Sequence, residues 1–402
     1  MRRIALPILI ALTLITPLAA PNFATAAPKT TAVKKLDLVS TAKDVEGLVA
    51  IGKTLITYSN TSGVNSNIVV TGLDSTGIQL WQKTIDSGAD EIGLAASSDT
   101  SGNLWIAGAS APVVAIDTRT VQTPSDNPDG VVIEPNSPLR SDMNQITLWK
   151  ISALGELLAT YSVAQSAPAL ISGISANASG VSIVGEIGDK PFLISASPLG
   201  IFGKLITIGT AKSSINAVMR NLDGSSNLFG SSAETLSGKK LVGVRDGVLI
   251  KVSKTGSITT VVRSSAPKGD RSWINGDSSL ALTGYVKTGK VVESAFTKFT
   301  AAFSPTWTIR FHSRGTSSVL STTGTTYAAI GSNSAVTGLS GWKPTTPQLL
   351  LLALDSKGGV TAAYSAPELV DPISLTYSKE IGLYGLAKAG DGTVSIFHVT
   401  AR

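Results

Sequence analysis

Along most of this chain apolar residues come in short β-rich runs, each closed by a turn of Gly, Ser, Asp or Pro. That pattern predicts strands and hairpins rather than helices. The clearest unit is two strands joined by a turn ending in Gly. Asn67 begins NIVVTGLDSTGIQLWQKTI, turning at Thr76-Gly77, and Gln145 begins QITLWKISALGELLATYSV, turning at Leu154-Gly155. Further copies begin at Lys190, Gly247, Ala295 and Gln348. Their turns fall at Leu199-Gly200, Thr255-Gly256, Ser304-Pro305 and Lys357-Gly358, so the fifth copy lacks the Gly. A turn that allows positive φ between two such strands is the local requirement of a hairpin.

A second strand pair precedes each hairpin, as Glu91 to Ala96 and Asn103 to Gly108 precede Gln145. Four antiparallel strands per unit is the blade of a β-propeller. Most turns recur every ~45–56 residues, a spacing close to known propeller repeats. After the sixth hairpin only three strands remain, Pro372 to Tyr377, Ile381 to Ala387 and Gly392 to Ala401. Lys34 to Thr41 is the expected fourth. The expected fold is therefore all-β, a seven-bladed propeller whose last blade is closed by strands from both termini. Six or eight blades are the alternatives within that architecture. A sandwich array should show linkers, and a parallel β-helix shorter, more uniform coils.

The stretch Asn67 to Ser110 resembles the bacterial β-propeller repeat family. The residues carrying the resemblance are the turn Asp74-Ser75-Thr76-Gly77, Trp81, Gly88-Ala89-Asp90, Asp99 with Gly102-Asn103, and Gly108. Leu73-Asp74 through Trp81 is also similar to quinoprotein-like propeller repeats, in which the Trp docks between blades. The resemblance implies the fold and carries no catalytic residue.

The N-terminus adds a destination. Met1-Arg2-Arg3, an apolar run from Ile4 to Leu18 and the small-x-small Ala24-Thr25-Ala26 read as a signal peptide over 1–26, cleaved after Ala26 or kept as an anchor. A single domain over 27–402, secreted or held at the cell surface, follows. The chain has no Cys, which excludes disulfides, thiolate catalysis and Cys-ligated metal. Charged residues are only 15%, and removing Arg2 and Arg3 lowers the formal charge from +6 to about +4. The basic residues are scattered, unlike the clustered faces that bind nucleic acid.

Candidate chemistry is thin. His398 sits in an alternating strand as a packing residue, and His312 ends an outer strand beside Arg310 and Arg314, where it is a minor candidate for a general base. Asp126-Asn127-Pro128-Asp129-Gly130 clusters oxygens but also makes an ordinary turn without calcium. Trp81, Trp105, Trp149 and Trp307 are expected to pack between blades, whereas Trp273 and Trp342 are candidates to face a ligand. No cofactor and no metal site is expected.

Labelling the strands of a blade a to d from centre to rim puts the b–c and d–a connections on one face. The insertions 111–144, 231–246 and 332–347, with a smaller one near Lys287 to Lys290, all fall in b–c connections. In the longest, four prolines keep most of the segment outside the sheet, with Val131-Val132-Ile133 as a short added strand. Long loops on a rigid scaffold are where binding residues concentrate. The expected function is a monomeric, non-catalytic binding module that presents this face to a protein or glycan. The alternative is a lyase or glycan hydrolase with acidic residues and Arg around the axial mouth. Asp90, Glu91, Asp270, Arg271, Trp273, Arg314, Trp342 and Asp371 are the candidate site residues.

Overall fold

The computed structural model describes residues 30–63, 65–113 and 141–399. The expected signal peptide, the Asp126–Gly130 turn and the Val131–Ile133 strand lie outside these residues. No helix among the described residues is long and apolar enough to cross a membrane.

All the regular structure described is β. Numbered in chain order by their first long strand, the sheets begin with sheet 1, Val45–Ile51, Thr54–Asn60, Ile68–Leu73 and Gln79–Ile85. Sheet 2 holds Glu91–Ser98, Leu104–Ser110, Gln145–Ile151 and Leu157–Ala164. Sheet 3 holds Ala169–Asn177, Gly180–Ile187, Lys190–Ala196 and the short Ile206–Thr207. Sheet 4 holds Ser213–Arg220, Ser226–Ser232, Asp246–Val252 and Ile258–Ser264. Sheet 5 holds Asp270–Gly276, Ala281–Thr288, Val291–Phe299 and Pro305–His312. Sheet 6 holds Ser317–Thr322, Thr325–Ser332, Gln348–Leu354 and Val360–Ala366, extended by Thr31–Lys35 and Leu339–Ser340. Sheet 7 holds Leu369–Ser378, Gly382–Ala389, Val394–His398 and Asp37–Ala42. The a strands of successive sheets pack on one another, and that of sheet 7 packs on that of sheet 1.

The expectation of a seven-bladed propeller whose last blade is closed by strands from both termini, the N-terminal one over 34–41, is corrected. Six sheets are four-stranded and one is six-stranded. The segment 34–41 is not one strand. Thr31–Lys35 runs parallel to Val360–Ala366 in sheet 6, and only Asp37–Ala42 pairs with Val394–His398. The division falls at Leu36, which is wholly buried and donates its N–H to Ser365 O at 2.9 Å. A single buried Leu fixes where the chain leaves one sheet for the next. Two smaller expectations also change. The connection near Lys287 to Lys290 is a two-residue turn, Gly289-Lys290, and no insertion. In the fifth hairpin, Phe303, not Ser304-Pro305, takes the place of the Gly, at φ +60°.

Burial follows position in the sheet. The c strands are covered on both faces, so Gln348–Leu354 reads QLLLLAL and is buried from Leu349 onward. The d strands at the rim alternate, as in Leu157–Ala164 and Pro305–His312. Inner a strands carry a recurrent bulge, between Gly93 and Ala95, Ile171 and Gly173, Ile215 and Ala217, and Trp273 and Asn275. Opposite it stands Gly108, Gly185, Gly230 or Gly284, where a Cβ would come within 1.8–2.1 Å of an a-strand carbonyl oxygen. Only Gly fits there, which explains why these b strands share a glycine when their other letters diverge.

Sheets are joined at the rim by a second device. A d-strand side chain lies over the c–d turn of the next sheet: Val39 over Gly77, Trp81 over Gly155, Tyr161 over Gly200, Ile206 over Gly256 and Trp307 over Gly358. The indole of Trp81 also donates to Ala153 O at 3.2 Å. The motif Asp residues serve the turns themselves. Asp74 Oδ1 accepts the N–H groups of Thr76 and Ile78, and Asp355 Oδ1 those of Lys357 and Gly359.

Candidate functional site

Because strands alternate in direction, the b–c and d–a connections gather at one face and the a–b and c–d turns at the other. On the turn face the c–d connections are five residues long in most sheets, tight and Asx- or Ser-capped. On the other face, residues 111–144, 233–245 and 333–347 separate b from c in sheets 2, 4 and 6. The sheet-4 connection is tied down by a buried ion pair. Asp246 is fully buried, its carboxylate accepts the N–H groups of Val242 and Gly243, and Arg263 Nη1 stands 3.3 Å away. Burial opposes the charge on Asp246, yet these donors and Arg263 still hold its carboxyl below the usual range. Arg263 also donates to the carbonyls of Lys239 and Glu234.

The residues singled out from the sequence do not form one constellation. Asp90 and Glu91 lie where sheet 1 hands over to sheet 2. Asp90 Oδ1 accepts the Ser66 N–H at 2.6 Å and Glu91 Oε1 the Ser87 N–H at 2.9 Å. Glu91 is only 1% exposed, and its Oε2 has no hydrogen-bond partner among the described residues. Burial pushes its carboxyl above the ordinary value. Beside it a cleft of ≈200 Å³ is lined by Lys83, Asp86, Ser87, Gln145 and Thr160, among others. A ladder of hydroxyls crosses this wall, Ser110 to Thr147 at 2.7 Å and Thr147 to Ser162 at 2.9 Å.

Asp270, Arg271 and Trp273 open sheet 5. Trp273 is corrected as a ligand-facing residue: it is wholly buried, with Phe299 edge-on at 5.7 Å and Gly247 against its indole nitrogen. Arg271 lies over the same ring at 4.3 Å, and burial, with Arg310 nearby, lowers its pKa to about 10. The pair is a buried cation–π contact. Arg314 and Asp371 do meet, at 3.5 Å, and Asp371 also accepts the Thr316 hydroxyl at 2.7 Å. Arg314 is exposed in the connection from sheet 5 to sheet 6, and Asp371 is half-buried on the a strand of sheet 7. Trp342, in the sheet-6 connection, buries its ring in the sheet-6 core, donates Nε1 to Ser334 O at 2.8 Å, and shows one edge to a second cleft. His398 stacks on Tyr384 at 4.5 Å, and burial lowers its pKa. It is a packing residue. Among the described residues no group of three or more His, Asp or Glu is placed to hold a metal ion.

Sequence reasoning missed the second cleft. It is lined by Lys34, Lys35, Lys343, Trp342, Pro344, Gln348 and Glu368, with a volume of ≈400 Å³. The dipeptide Lys34-Lys35 was visible, but nothing in the sequence places it against Lys343.

No family model matches the chain, and no curated protein matches it in sequence. Solved structures do match in fold. A chain of the mitotic checkpoint complex aligns at TM-score 0.54 and 10% identity over 98% of this chain and 100% of that one. The WD40 domain from Toxoplasma gondii coronin aligns at TM-score 0.51 and 12% identity over 94% and 90%. At such identity the likeness is one of fold, and it agrees with the sheets above: the chain has the β-propeller fold.

Proposed function

We propose that this chain is exported and acts as a non-catalytic interaction module, holding a protein or glycan on the face of its b–c and d–a connections. The observation that carries the reading is the asymmetry of the connections. The strand ends joined by the three long ones lie on one face, whereas on the opposite face the c–d turns of most sheets are five residues long and capped. The sheet-4 connection is anchored from within by Asp246 and Arg263, which favours a presented shape over a slack loop. The candidate acids and bases favour this reading over the enzyme. Glu91 accepts a backbone N–H, Arg271 is stacked on Trp273, and Asp371 is engaged by Arg314 and Thr316. One of the similar folds belongs to a multiprotein complex, so the scaffold is used in assemblies elsewhere.

The test is a binding screen of the chain from residue 27 against glycans and cell-surface proteins, repeated with variants on each face. Val242→Glu and Val244→Glu alter side chains 71% and 62% exposed on the loop face. Leu154→Glu and Leu199→Glu alter side chains 77% and 75% exposed on the turn face. The loop-face variants are expected to lose capture and the turn-face variants to keep it. Loss confined to Leu154 and Leu199 would move the interaction to the exposed apolar turns and overturn the assignment.

A further inference from the structure

The cleft beside the added N-terminal strand of sheet 6 carries an unbalanced positive charge. Thr31–Lys35 lies parallel to the d strand of sheet 6, with Lys34 opposite Tyr364 and Lys35 opposite Ser365. From the other side the connection through Gly341 and Pro344 brings Lys343 to the same opening. All three lysines are exposed, and none has an ion-pair partner among the described residues. One acid, Glu368, shares the rim, so the lining carries a net charge of about +2. The walls are otherwise apolar or neutral: Val33, Trp342, Pro344, Pro367 and Gln348. These backbones are fixed, since Leu36 is buried immediately after Lys35 and the Trp342 indole is bonded to Ser334.

Consecutive strand residues project to opposite faces, so Lys34 and Lys35 border this opening from two sides of the N-terminal strand, Lys343 borders it from the connection, and their net positive charge favours an anion there. Lysine supplies a point charge with no preferred plane, so it suits a rounded anionic head better than a strictly bidentate one. At ≈400 Å³ the space falls in the range of small-molecule sites, about 300–1,000 Å³, and is too small for a folded partner. We propose that this cleft binds a small organic anion, its carboxylate or phosphate held by Lys34, Lys35 and Lys343 and its ring-sized apolar side laid against Trp342 and Pro344. The site does not depend on the loop-rich face being the interaction face.

The experiment is calorimetric titration of the chain from residue 27 at low salt with inorganic phosphate, citrate, glucuronate and glucose 6-phosphate, with neutral glucose as the control. The two phosphates and two carboxylates separate the sources of the shared charge. Binding of at least one anion and none of glucose is expected. Lys343→Glu should weaken it by tenfold or more, since it removes a charge-assisted hydrogen bond and sets a second carboxylate on the rim. Lys34→Gln together with Lys35→Gln should do the same, while Lys254→Glu, on the turn face, should leave it unchanged. These lysines are exposed, so each variant should melt with the parent, and the milder Gln pair keeps the test open if Lys343→Glu does not. No anion binding above the glucose control would overturn the proposal, as would binding that survives both lysine variants.

Discussion

Replacing Gly155 by Ala isolates the contact that joins sheet 1 to sheet 2. The new Cβ would stand 2.5 Å from Trp81 Cε3 and 2.7 Å from Cδ2, far inside van der Waals contact. The indole cannot retreat, because its other face covers Gly72, where a Cβ would be 2.2 Å from Cε2. Gly155 also sits at φ +86°, which costs an L-residue about 1–2 kcal/mol. Gly392 provides the matched control. It has φ +85° and the same turn, its N–H bonded three residues back, but open space where a Cβ would go. Gly392→Ala should therefore cost the backbone term alone, about 1–2 kcal/mol. Gly155→Ala should cost that plus about 1–3 kcal/mol for overpacking. Urea unfolding of both variants gives the difference directly. A cycle with Trp81→Ala should remove the excess, as coupled neighbours do. Equal destabilisation by the two glycine variants would falsify the interlock.

Other substitutions test other parts of the scaffold. Arg263→Ala leaves Asp246 buried without its cation and should cost about 3–5 kcal/mol in denaturant unfolding, whereas adding Asp246→Asn should recover part of that loss. Phe303→Gly restores the expected turn residue and relieves φ +60°, yet it should destabilise by about 2–4 kcal/mol, since Phe303 is 3% exposed in the sheet-5 core; a more stable variant would show the turn outweighs the packing. Hydrogen bonds from the Thr76 hydroxyl, the Gly359 N–H and the Thr393 hydroxyl lower the pKa values of Asp74, Asp355 and Asp391. Their contribution is present above the unfolded value near pH 4 and fades as pH falls through the folded values, so melts should decline progressively below about pH 4. Glu91, raised by burial, acts in the opposite sense: Glu91→Gln should gain stability relative to the parent as pH rises above about 4.5.

Periods of apolar runs and turn glycines are local quantities, so the sequence by itself determined an all-β chain of repeated hairpins, the positions of most turns, and the packing roles of Trp81, Trp105, Trp149 and Trp307. It also marked Gly108 as a strand-ending glycine, though its cause, a bulged inner strand pressing a carbonyl into the space of a Cβ, is visible only once two strands are paired. Phe303 shows where the local rule fails: a turn position that asks for Gly is held by a buried aromatic because its ring fills the core of sheet 5. The division of the N-terminal segment at Leu36 was likewise closed to sequence reasoning. KKLDLVST reads as one strand, and only burial of Leu36 against sheets 6 and 7 sends its two halves to different sheets. Candidate site residues were the least legible, because charge and aromaticity are properties of a residue whereas exposure and convergence belong to the fold. Trp273 and Arg271 share a sequence signal with a binding pair, and tertiary packing made them a buried one. Lys34, Lys35 and Lys343 carry no common signal, being some 300 positions apart, and it is the parallel pairing of the N-terminal strand with sheet 6 that brings their charges to one cleft.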